Sequence, residues 1–257
     1  MKILFNKYEG TGNDFVIIDN RDLSFISEKT IIEKICHRRF GIGADGLILI
    51  EPSGNAAFFM RYFNSDGIEG TMCGNGGRCA AHFSVRNSIA PIEMTFMTID
   101  GSHSAKVDGN HVQLSMSDVT SIERTGGGCF LNTGSPHHIE FVADPNKVDV
   151  VNEGRKIRYS KQYSPKGTNV NFAAVNKDKL VVRTYERGVE DETLSCGTGV
   201  TASAIAAVFC GHIDSSRVSI ETRGGHLTVS FLLEGTVVKD IKLAGPATFV
   251  FQGELEI

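Results

Sequence analysis

Residues 73–81 read CGNGGRCAA, and residues 196–204 read CGTGVTASA. Each stretch opens with a cysteine, continues with glycines around one polar residue, and then runs into small residues. The two cysteines lie 123 positions apart in a chain of 257 residues. A motif repeated at this spacing predicts that the chain consists of two related halves.

Two further matches support a duplication. Gly134 lies 122 positions after Gly12, and each begins a turn that leads into a strand-like run. Arg183 likewise lies 122 positions after Arg61, and both are followed by aromatic and polar residues. Chance matches in a glycine-rich chain would not keep so constant a separation, so duplication is favoured over coincidence.

Each half combines strand-like segments with one conspicuous helix that begins at the cysteine motif. Glycine and alanine on that helix suit close packing inside a sheet. We therefore predict an α+β fold of two pseudo-symmetric domains, each a curved, mostly antiparallel sheet wrapped around a central helix. The domains are predicted at 1–118, carrying Cys73, and 119–246, carrying Cys196, with a C-terminal strand at about 247–257 as a candidate addition to the first.

Glycine-rich residues 117–128 are the predicted linker between the halves. The predicted helices are 30–39, the segment after Cys73 to about Arg86, and 197–210. The predicted strands are 15–19, 47–50, 58–63, 111–116, 180–185, 218–221, 227–232 and 237–243.

The composition excludes several classes of protein. Hydrophobic residues make up 41% and charged residues 22%, which is typical of globular proteins. The formal net charge of −4 provides no basic surface, so no nucleic-acid partner is expected. No stretch is apolar for long enough to span a membrane, and the first residues do not form a signal peptide, so we expect a cytoplasmic location and no membrane partner.

The six cysteines, at 36, 73, 79, 129, 196 and 210, are expected to be thiols in a chain without a secretion signal. They form no Cys-x-x-Cys pair, so no metal site is predicted. Residues 41–46 have the glycine spacing of a dinucleotide site, but a helix is predicted before them and a strand after them, the reverse of what that site requires. No cofactor is therefore predicted.

A cysteine at the start of a helix is placed for acid–base chemistry, because backbone N–H groups and the helix dipole stabilise a thiolate there. One such cysteine is more often a small buried side chain. Two at equivalent positions of a repeat instead favour a catalytic pair. Inversion of a stereocentre needs a base on one face of the carbon and an acid on the other, and we predict Cys73 and Cys196 in these roles.

The same helix starts provide carboxylate sites through the N–H groups of Gly74, Asn75, Gly197 and Thr198. Removal of the α-proton of an amino acid moves negative charge onto its carboxylate, and donors aimed at those oxygens stabilise the resulting ene-diolate. The sequence therefore predicts an enzyme that acts on an amino acid.

Polar side chains near the repeated motifs are the candidates for holding the rest of the substrate. Asn13, Asn64 and Asn169 each donate and accept hydrogen bonds, and the guanidinium of Arg187 suits a carboxylate. Glu186 is a candidate acceptor for an ammonium group. Without the repeat, a solvated ion pair at the surface would explain Glu186 and Arg187 equally well.

The motifs, in their order along the chain, resemble those of the diaminopimelate epimerase family, and the resemblance covers nearly the whole chain. It implies interconversion of LL- and meso-diaminopimelate in lysine biosynthesis, without pyridoxal phosphate or metal, with Cys73 and Cys196 as the acid–base pair of a homodimeric protein. The implied substrate contacts are Asn13, Asn64, Gly74, Asn75, Asn169, Glu186, Arg187, Gly197 and Thr198, with Ser135 and His137 as secondary candidates. The motifs that carry the resemblance are 12–15, 39–46, 63–67, 73–79, 169–172, 185–188 and 196–199.

Three positions depart from the family pattern. Ser135 stands where many members have asparagine, Gly46 stands where some have glutamine, and residues 188–193 are one residue longer than usual. We expect these departures to affect recognition of the substrate side chain and to leave the chemistry unchanged.

Other functions remain open from sequence. A proline or hydroxyproline racemase shares the two-thiol chemistry, but its ring substrate does not need the polar set of Asn13, Asn64 and Arg187. From other classes, a thiol redox protein or a non-catalytic amino-acid-binding protein would also carry conspicuous cysteines or anion-binding turns.

Overall fold

The computed structural model describes residues 2–256, which form two compact units. The first unit comprises the chain up to Leu114 together with the segment from Gly245 onward, and the second unit comprises Ser115–Ala244. The sequence alone places the corresponding boundaries at 118 and 246.

The first unit is a sheet with two helices. Strands β2 and β3 are parallel because helix α1 connects them, and β3 and β4 form an antiparallel pair. The C-terminal strand β18 pairs antiparallel with β1. The elements are β1 (Lys2–Gly10), β2 (Asn13–Asp19), α1 (Lys29–Cys36), β3 (Gly46–Glu51), β4 (Phe59–Asn64), β5 (Glu69–Gly70), α2 (Gly74–Arg86), β6 (Glu93–Thr98), β7 (Gly101–Asp108), β8 (His111–Ser115) and β18 (Thr248–Glu256).

The second unit repeats this series. Strands β11 and β12 are parallel around helix α3, β12 and β13 are antiparallel, and β9 pairs with β10 as β18 pairs with β1. The elements are β9 (Ile122–Arg124), β10 (Gly128–Asn132), β11 (Pro136–Phe141), α3 (Val150–Arg158), β12 (Asn169–Asn176), β13 (Lys179–Glu186), β14 (Asp191–Thr193), α4 (Gly197–Phe209), β15 (Arg217–Thr222), β16 (Gly225–Glu234) and β17 (Val237–Pro246).

Each sheet wraps around one central helix, α2 in the first unit and α4 in the second. The first turns of both helices are almost entirely buried, and α4 stays buried to Ala207 with Thr198 as the half-buried exception. A helix that is apolar or small on all sides must be enclosed. Helices α1 and α3 cover the opposite sheet faces with smaller cores of their own. The predicted α+β fold with a central helix in each half is confirmed.

Two predictions at the level of elements are wrong. Residues 117–128 are not a linker: they lie inside the second unit, where Val119 exchanges backbone hydrogen bonds with Val238 and strand β9 pairs with β10. Helix α1 ends at Cys36 and not at 39, because His37 already has an extended backbone. Within the described part of the chain, no helix has the length and apolar character that crossing a bilayer requires.

Candidate active site

Cys73 and Cys196 are the residues that immediately precede the two central helices. Their backbones are extended, with φ −92° and ψ 123° at Cys73 and φ −122° and ψ 112° at Cys196. The carbonyl of Cys73 accepts the first helical hydrogen bond from Gly77 N at 2.7 Å, and that of Cys196 accepts from Val200 N at 2.9 Å. Each sulfur therefore stands at a helix start, where the dipole and the first N–H groups favour a thiolate.

Glycines bring both helix starts close to the sheets beneath them. A Cβ added at Gly76 would lie 3.2 Å from Ile48 Cδ1, and one added at Gly199 would lie 2.5 Å from Asn171 Oδ1. Because no Cβ is present, the first turns approach the sheet closely and keep their N–H groups clear of side chains.

In the first unit, Asn13 and Asn75 contact each other. Asn75 Nδ2 donates to Asn13 Oδ1 at 2.5 Å, and Asn13 Nδ2 donates to Asp45 Oδ2 at 2.9 Å. Because a carboxylate only accepts, Asp45 fixes which end of the Asn13 amide is the donor. The predicted substrate contact Asn13 is thus held in one orientation beside the start of α2.

Charged residues lie behind Asn13. Arg38 donates to both Asp14 (2.8 Å) and Asp45 (2.6 Å), and the buried Lys7 pairs with Asp14 at 2.7 Å. Burial acts to raise the pKa of Asp14, but the hydrogen bonds and charges of Arg38 and Lys7 outweigh it and lower that pKa to about 2. Asp14 therefore remains ionised and keeps the cluster fixed at neutral pH.

Arg78 braces the first turn of α2 from inside the protein. Its side chain is fully buried, and burial lowers the pKa of the guanidinium. Among the described residues, no carboxylate lies within ion-pair distance of it, and its partners are neutral. These partners are Gly74 O at 3.3 Å, Thr11 Oγ1 at 2.8 Å, Asn75 Oδ1 at 3.0 Å and Pro246 O at 3.2 Å.

Asn64 ends strand β4, at the edge of the sheet where β2 and β3 begin. Its Oδ1 accepts from the hydroxyl of Tyr62 at 2.9 Å. A Cβ at Gly46 would lie 2.5 Å from Tyr62 Cε2. Glycine at position 46 therefore leaves space for the Tyr62 ring, which a longer side chain at this position of β3 would fill. The Tyr62 hydroxyl in turn orients Asn64.

In the second unit, Asn169 connects two other candidate residues, Ser135 and Arg187. Its Nδ2 donates to Ser135 Oγ and to Pro136 O, both at 2.9 Å, and its Oδ1 accepts from Arg187 N at 2.8 Å. The short side chain of Ser135 is thereby tied to the site through Asn169.

Glu186 and Arg187 follow at the end of β13. Burial raises the pKa of Glu186, and a hydrogen bond with Thr193 partly opposes this. Arg187 Nη1 donates to Lys166 O at 3.4 Å. An ammonium group beside Glu186 would favour the ionised form of this carboxyl, in keeping with its predicted role as the acceptor for a substrate ammonium.

The longer segment after Arg187 is anchored by Glu190. Its carboxylate pairs with Arg158 at 2.8 Å and accepts from the hydroxyls of Tyr159 and Tyr185, each at 3.0 Å. Arg158 is the main cause that lowers the pKa of Glu190 to about 2. The extra residue of this segment is therefore part of an ordered turn.

His137 is completely buried against the start of α4. Its Nε2 lies 2.9 Å from Thr198 Oγ1, and its Nδ1 lies 3.1 Å from Asn171 Nδ2. Burial, aided by the charge of Arg187, lowers the pKa of His137 to about 3. The imidazole is therefore neutral. The sequence predicts His137 beside the substrate, and the structure places it against Thr198, which is itself a predicted substrate contact.

Three other cysteines lie in less favourable surroundings for a thiolate. Burial raises the pKa of Cys36 and of Cys129 to about 12, and it also raises that of Cys79. They remain protonated and serve as packing residues. Within residues 2–256, no three His, Cys, Asp or Glu side chains gather in an arrangement that could hold a metal ion.

Sequence reasoning missed the residues that hold the predicted ones. Asp45 lies in the glycine-rich segment 41–46, whose neighbouring elements do not fit a dinucleotide site, and Arg78 lies within the first cysteine motif. Asn171 is two positions after Asn169, so strand alternation places both side chains on one face. This alternation is the sequence signal that could have identified Asn171.

Comparison with known proteins identifies relatives along the whole chain. The family model described as diaminopimelate epimerase matches residues 5–122 and 129–250. A diaminopimelate epimerase of Flavobacterium psychrophilum is 50% identical over 249 residues, covering 96% of this chain and 97% of the relative. One from Chlorobaculum tepidum is 43% identical, covering 96% of this chain and 99% of the relative.

Solved structures share the fold at low sequence identity. A Bacillus anthracis phenazine biosynthesis protein of the PhzF family matches with a TM-score of 0.78 at 16% identity, covering 100% of both chains. A hydroxyproline epimerase from Agrobacterium vitis matches with a TM-score of 0.71 at 13% identity, covering 99% of this chain and 92% of that one. At such identities the likeness concerns the fold alone.

Proposed function

This chain belongs to the diaminopimelate epimerase family, and from that premise we propose that it inverts one α-carbon of diaminopimelate, interconverting the LL and meso forms. The proposal includes a reaction without bound cofactor or metal, carried by Cys73 and Cys196. The observation that supports it most is that each cysteine directly precedes a buried central helix at equivalent points of the duplicated fold.

The reaction consists of two proton transfers. One cysteine, as thiolate, takes the α-proton; the C–H electron pair moves toward the carboxylate and forms an ene-diolate. The other cysteine, as thiol, then gives its proton to the opposite face of the carbon and becomes the thiolate. The reverse reaction exchanges these roles, and no electrons leave or enter the pair.

The helix starts stabilise the intermediate. The N–H groups of Gly74, Asn75, Gly197 and Thr198 are assigned to substrate carboxylate oxygens, where they meet more negative charge in the ene-diolate than in the bound amino acid. Such fixed donors need no rearrangement as the charge develops.

The remaining candidates are assigned to the rest of the substrate. Arg187 takes a carboxylate and Glu186 an ammonium group, while Asn13, Asn64 and Asn169 provide amide contacts. Ser135 and His137 complete the second unit's contribution, Ser135 through Asn169 and His137 through Thr198.

Substrate comparison tests the proposal. We expect turnover of LL-diaminopimelate by the wild-type protein, and none above background for proline or hydroxyproline. Cys73→Ala and Cys196→Ala are expected to abolish turnover, while Cys36→Ala, at a packing position, retains it. Racemisation of proline without turnover of diaminopimelate would replace this proposal with the ring-substrate alternative.

The redox alternative makes the opposite prediction about oxidation. A disulfide between Cys73 and Cys196 would remove both the base and the acid, so oxidant should stop epimerisation and a thiol reductant should restore it. An activity that requires the oxidised pair would favour a redox protein. Chelators are expected to leave the rate unchanged.

The family resemblance supports a homodimeric assembly. We propose a homodimer in the cytoplasm, with no nucleic-acid or membrane partner. Light scattering is expected to give twice the mass of one chain, and a mass equal to one chain would contradict the dimer.

A further inference from the structure

The duplicated fold places different side chains at equivalent positions beneath the two helix starts. Ile48 of β3 pairs with Tyr62 of β4, and at the same register Asn171 of β12 pairs with Thr184 of β13. Where the first unit has Phe15, Ile48 and Tyr62, the second unit has His137, Asn171 and Thr184.

The glycines of the cysteine motifs confirm this equivalence. A Cβ on Gly76 would meet Ile48 Cδ1 at 3.2 Å and Phe15 Cε1 at 3.5 Å. A Cβ on Gly199 would meet Asn171 Oδ1 at 2.5 Å and His137 Cε1 at 3.3 Å. The start of α2 thus rests on an apolar surface, and the start of α4 rests on a hydrogen-bonded one.

The orientation of the Asn171 amide is fixed from two sides. Its Oδ1 lies 2.9 Å from the Thr184 hydroxyl, which donates to it. Its Nδ2 lies 3.2 Å from the backbone carbonyl of His138, which can only accept. The group that faces His137 Nδ1 at 3.1 Å is therefore an N–H donor.

This orientation sets the tautomer of His137. Because Nδ1 accepts from Asn171, it carries no proton, and a neutral imidazole must then carry its proton on Nε2. Nε2–H donates to Thr198 Oγ1 at 2.9 Å.

The Thr198 hydroxyl has one proton, and its oxygen already accepts from His137. Among the described residues, its other hydrogen-bond contact is Cys196 Sγ, at 3.4 Å. The Asn171 amide sets the direction of the His137–Thr198 bond, and a Cys196 thiolate, which can only accept, makes the Thr198 hydroxyl the donor of the last bond.

We infer that the Thr198 hydroxyl is a further catalytic group: it donates its hydrogen bond to Cys196 Sγ and stabilises the thiolate, with His137 and Asn171 as positioning residues that impose this direction. The inference rests on the proposed function for its role in turnover. Asn75, the counterpart of Thr198, carries an amide in place of the hydroxyl and contacts Asn13 and Arg78.

Charged and titratable groups near the two helix starts also differ. Among the described residues, those around α4 include His137, which is neutral, and Arg187, whose charge acts on it. Those around α2 include Arg78, with Cys79 and Glu9 acting on its guanidinium. Cys196 therefore has a hydroxyl donor, that of Thr198, close to its sulfur. In the first unit, by contrast, the buried guanidinium of Arg78 lies behind the helix that follows Cys73.

Alkylation of individual cysteines tests the inference without any substrate. The rate of carbamidomethylation by iodoacetamide is measured between about pH 5 and pH 10, a range that brackets ordinary thiol titration. Mass spectrometry of the peptides reads Cys196, and it reads Cys73 in the same digest as an internal control. The variants are Thr198→Val, which removes the hydroxyl at nearly constant shape, and Thr198→Ser, which keeps it.

Thr198→Val is expected to move the titration midpoint of Cys196 upward by about one pH unit, as the loss of one hydrogen bond to a charged group implies. Thr198→Ser is expected to restore the wild-type profile, and the midpoint of Cys73 should stay in place in both. With diaminopimelate, Thr198→Val should lower kcat more than it changes KM, because the backbone N–H of residue 198 remains.

Asn171→Leu is the second variant. Without the amide donor, His137 can carry its proton on Nδ1 and accept the Thr198 hydroxyl on Nε2, so the Cys196 midpoint should rise as in Thr198→Val. Identical profiles for the Val and Ser variants, or an equal shift at Cys73, would overturn the inference. Alkylation needs no turnover. A protein that does not epimerise diaminopimelate but shows the shift of the Cys196 midpoint would therefore contradict only the proposed function.

Discussion

At the scale of single residues, three of the candidate substrate contacts are held by residues outside the predicted set. Asn13 is oriented by Asp45, Asn75 by Arg78, and Asn64 by Tyr62. An amide that is already oriented loses less freedom when it binds a ligand, so we expect these residues to contribute to substrate affinity through the amides that they orient.

Asp45→Ala is expected to weaken substrate binding. The Asn13 amide loses its acceptor and can turn away, and one hydrogen bond of about 1 kcal/mol corresponds to a rise in KM of roughly five-fold. Steady-state kinetics with diaminopimelate measures this, with the exposed Asp108→Ala as control. An unchanged KM in Asp45→Ala would show that Asn13 does not depend on this bond.

Arg78→Met is expected to lower stability. The side chain is fully buried, and its removal takes away one donor from Asn75 Oδ1 and one from Thr11 Oγ1. We expect a loss of about 2–4 kcal/mol in the free energy of unfolding, measured by urea denaturation. Arg86→Met, on the exposed last turn of the same helix, should cost less than about 1 kcal/mol, and equal losses would argue against the bracing role.

At the scale of elements, the two helix starts differ in how tightly they pack. A Cβ on Gly199 would overlap the fixed Asn171 amide at 2.5 Å, whereas one on Gly76 meets the flexible end of Ile48 at 3.2 Å. Gly199→Ala should therefore remove most of the activity and cost about 1–3 kcal/mol of stability, and Gly76→Ala should be milder on both counts. Thermal unfolding and turnover of the two variants check this, and the reverse order would contradict it.

The sequence predicted the central helices because both begin at a repeated motif and carry small residues throughout. Helix α3 was missed because Val150–Arg158 is short and contains Gly154, a residue of low helix propensity. Glycine is needed there because the helix packs closely on β13: a Cβ on Gly154 would lie 2.4 Å from Tyr185 Cβ. Strand β12 was missed because asparagines at 169, 171 and 176 are uncommon in strands.

The same limit applies to the candidate site. Cys73 and Cys196 were predictable because the repeat compares them within one chain. Asn171 and Arg78 were harder to predict, because a buried polar residue makes sense only once its partners are known, and these include His137 for Asn171 and Thr11 for Arg78, which are distant in sequence.

At the scale of the whole molecule, both units contain a carboxylate whose pKa is about 2 when folded, Asp14 in the first and Glu190 in the second. Their ordinary values are 3.8 and 4.5, so the unfolded chain binds protons more readily. Their contribution to stability is full above about pH 4.5 and is lost as the pH falls toward about 2.

We expect the free energy of unfolding to fall through this range. Each group accounts for about 1–2 kcal/mol after allowance for solvent screening. Denaturation at a series of pH values measures the slope. Asp14→Asn with Glu190→Gln should flatten it, Asp108→Asn should not, and an unchanged slope in the double variant would contradict the assignment.

The most direct test of the two-thiol reaction is exchange with solvent deuterium. LL-diaminopimelate is incubated in D₂O with wild type, Cys73→Ala, Cys196→Ala and the control Cys36→Ala, and the α-carbon is followed by NMR and by stereoisomer. Wild type and Cys36→Ala should yield meso product with solvent deuterium at the inverted carbon, and neither single active-site variant should invert it. Inversion by either of those variants, or meso product that retains its original α-hydrogen, would contradict the account.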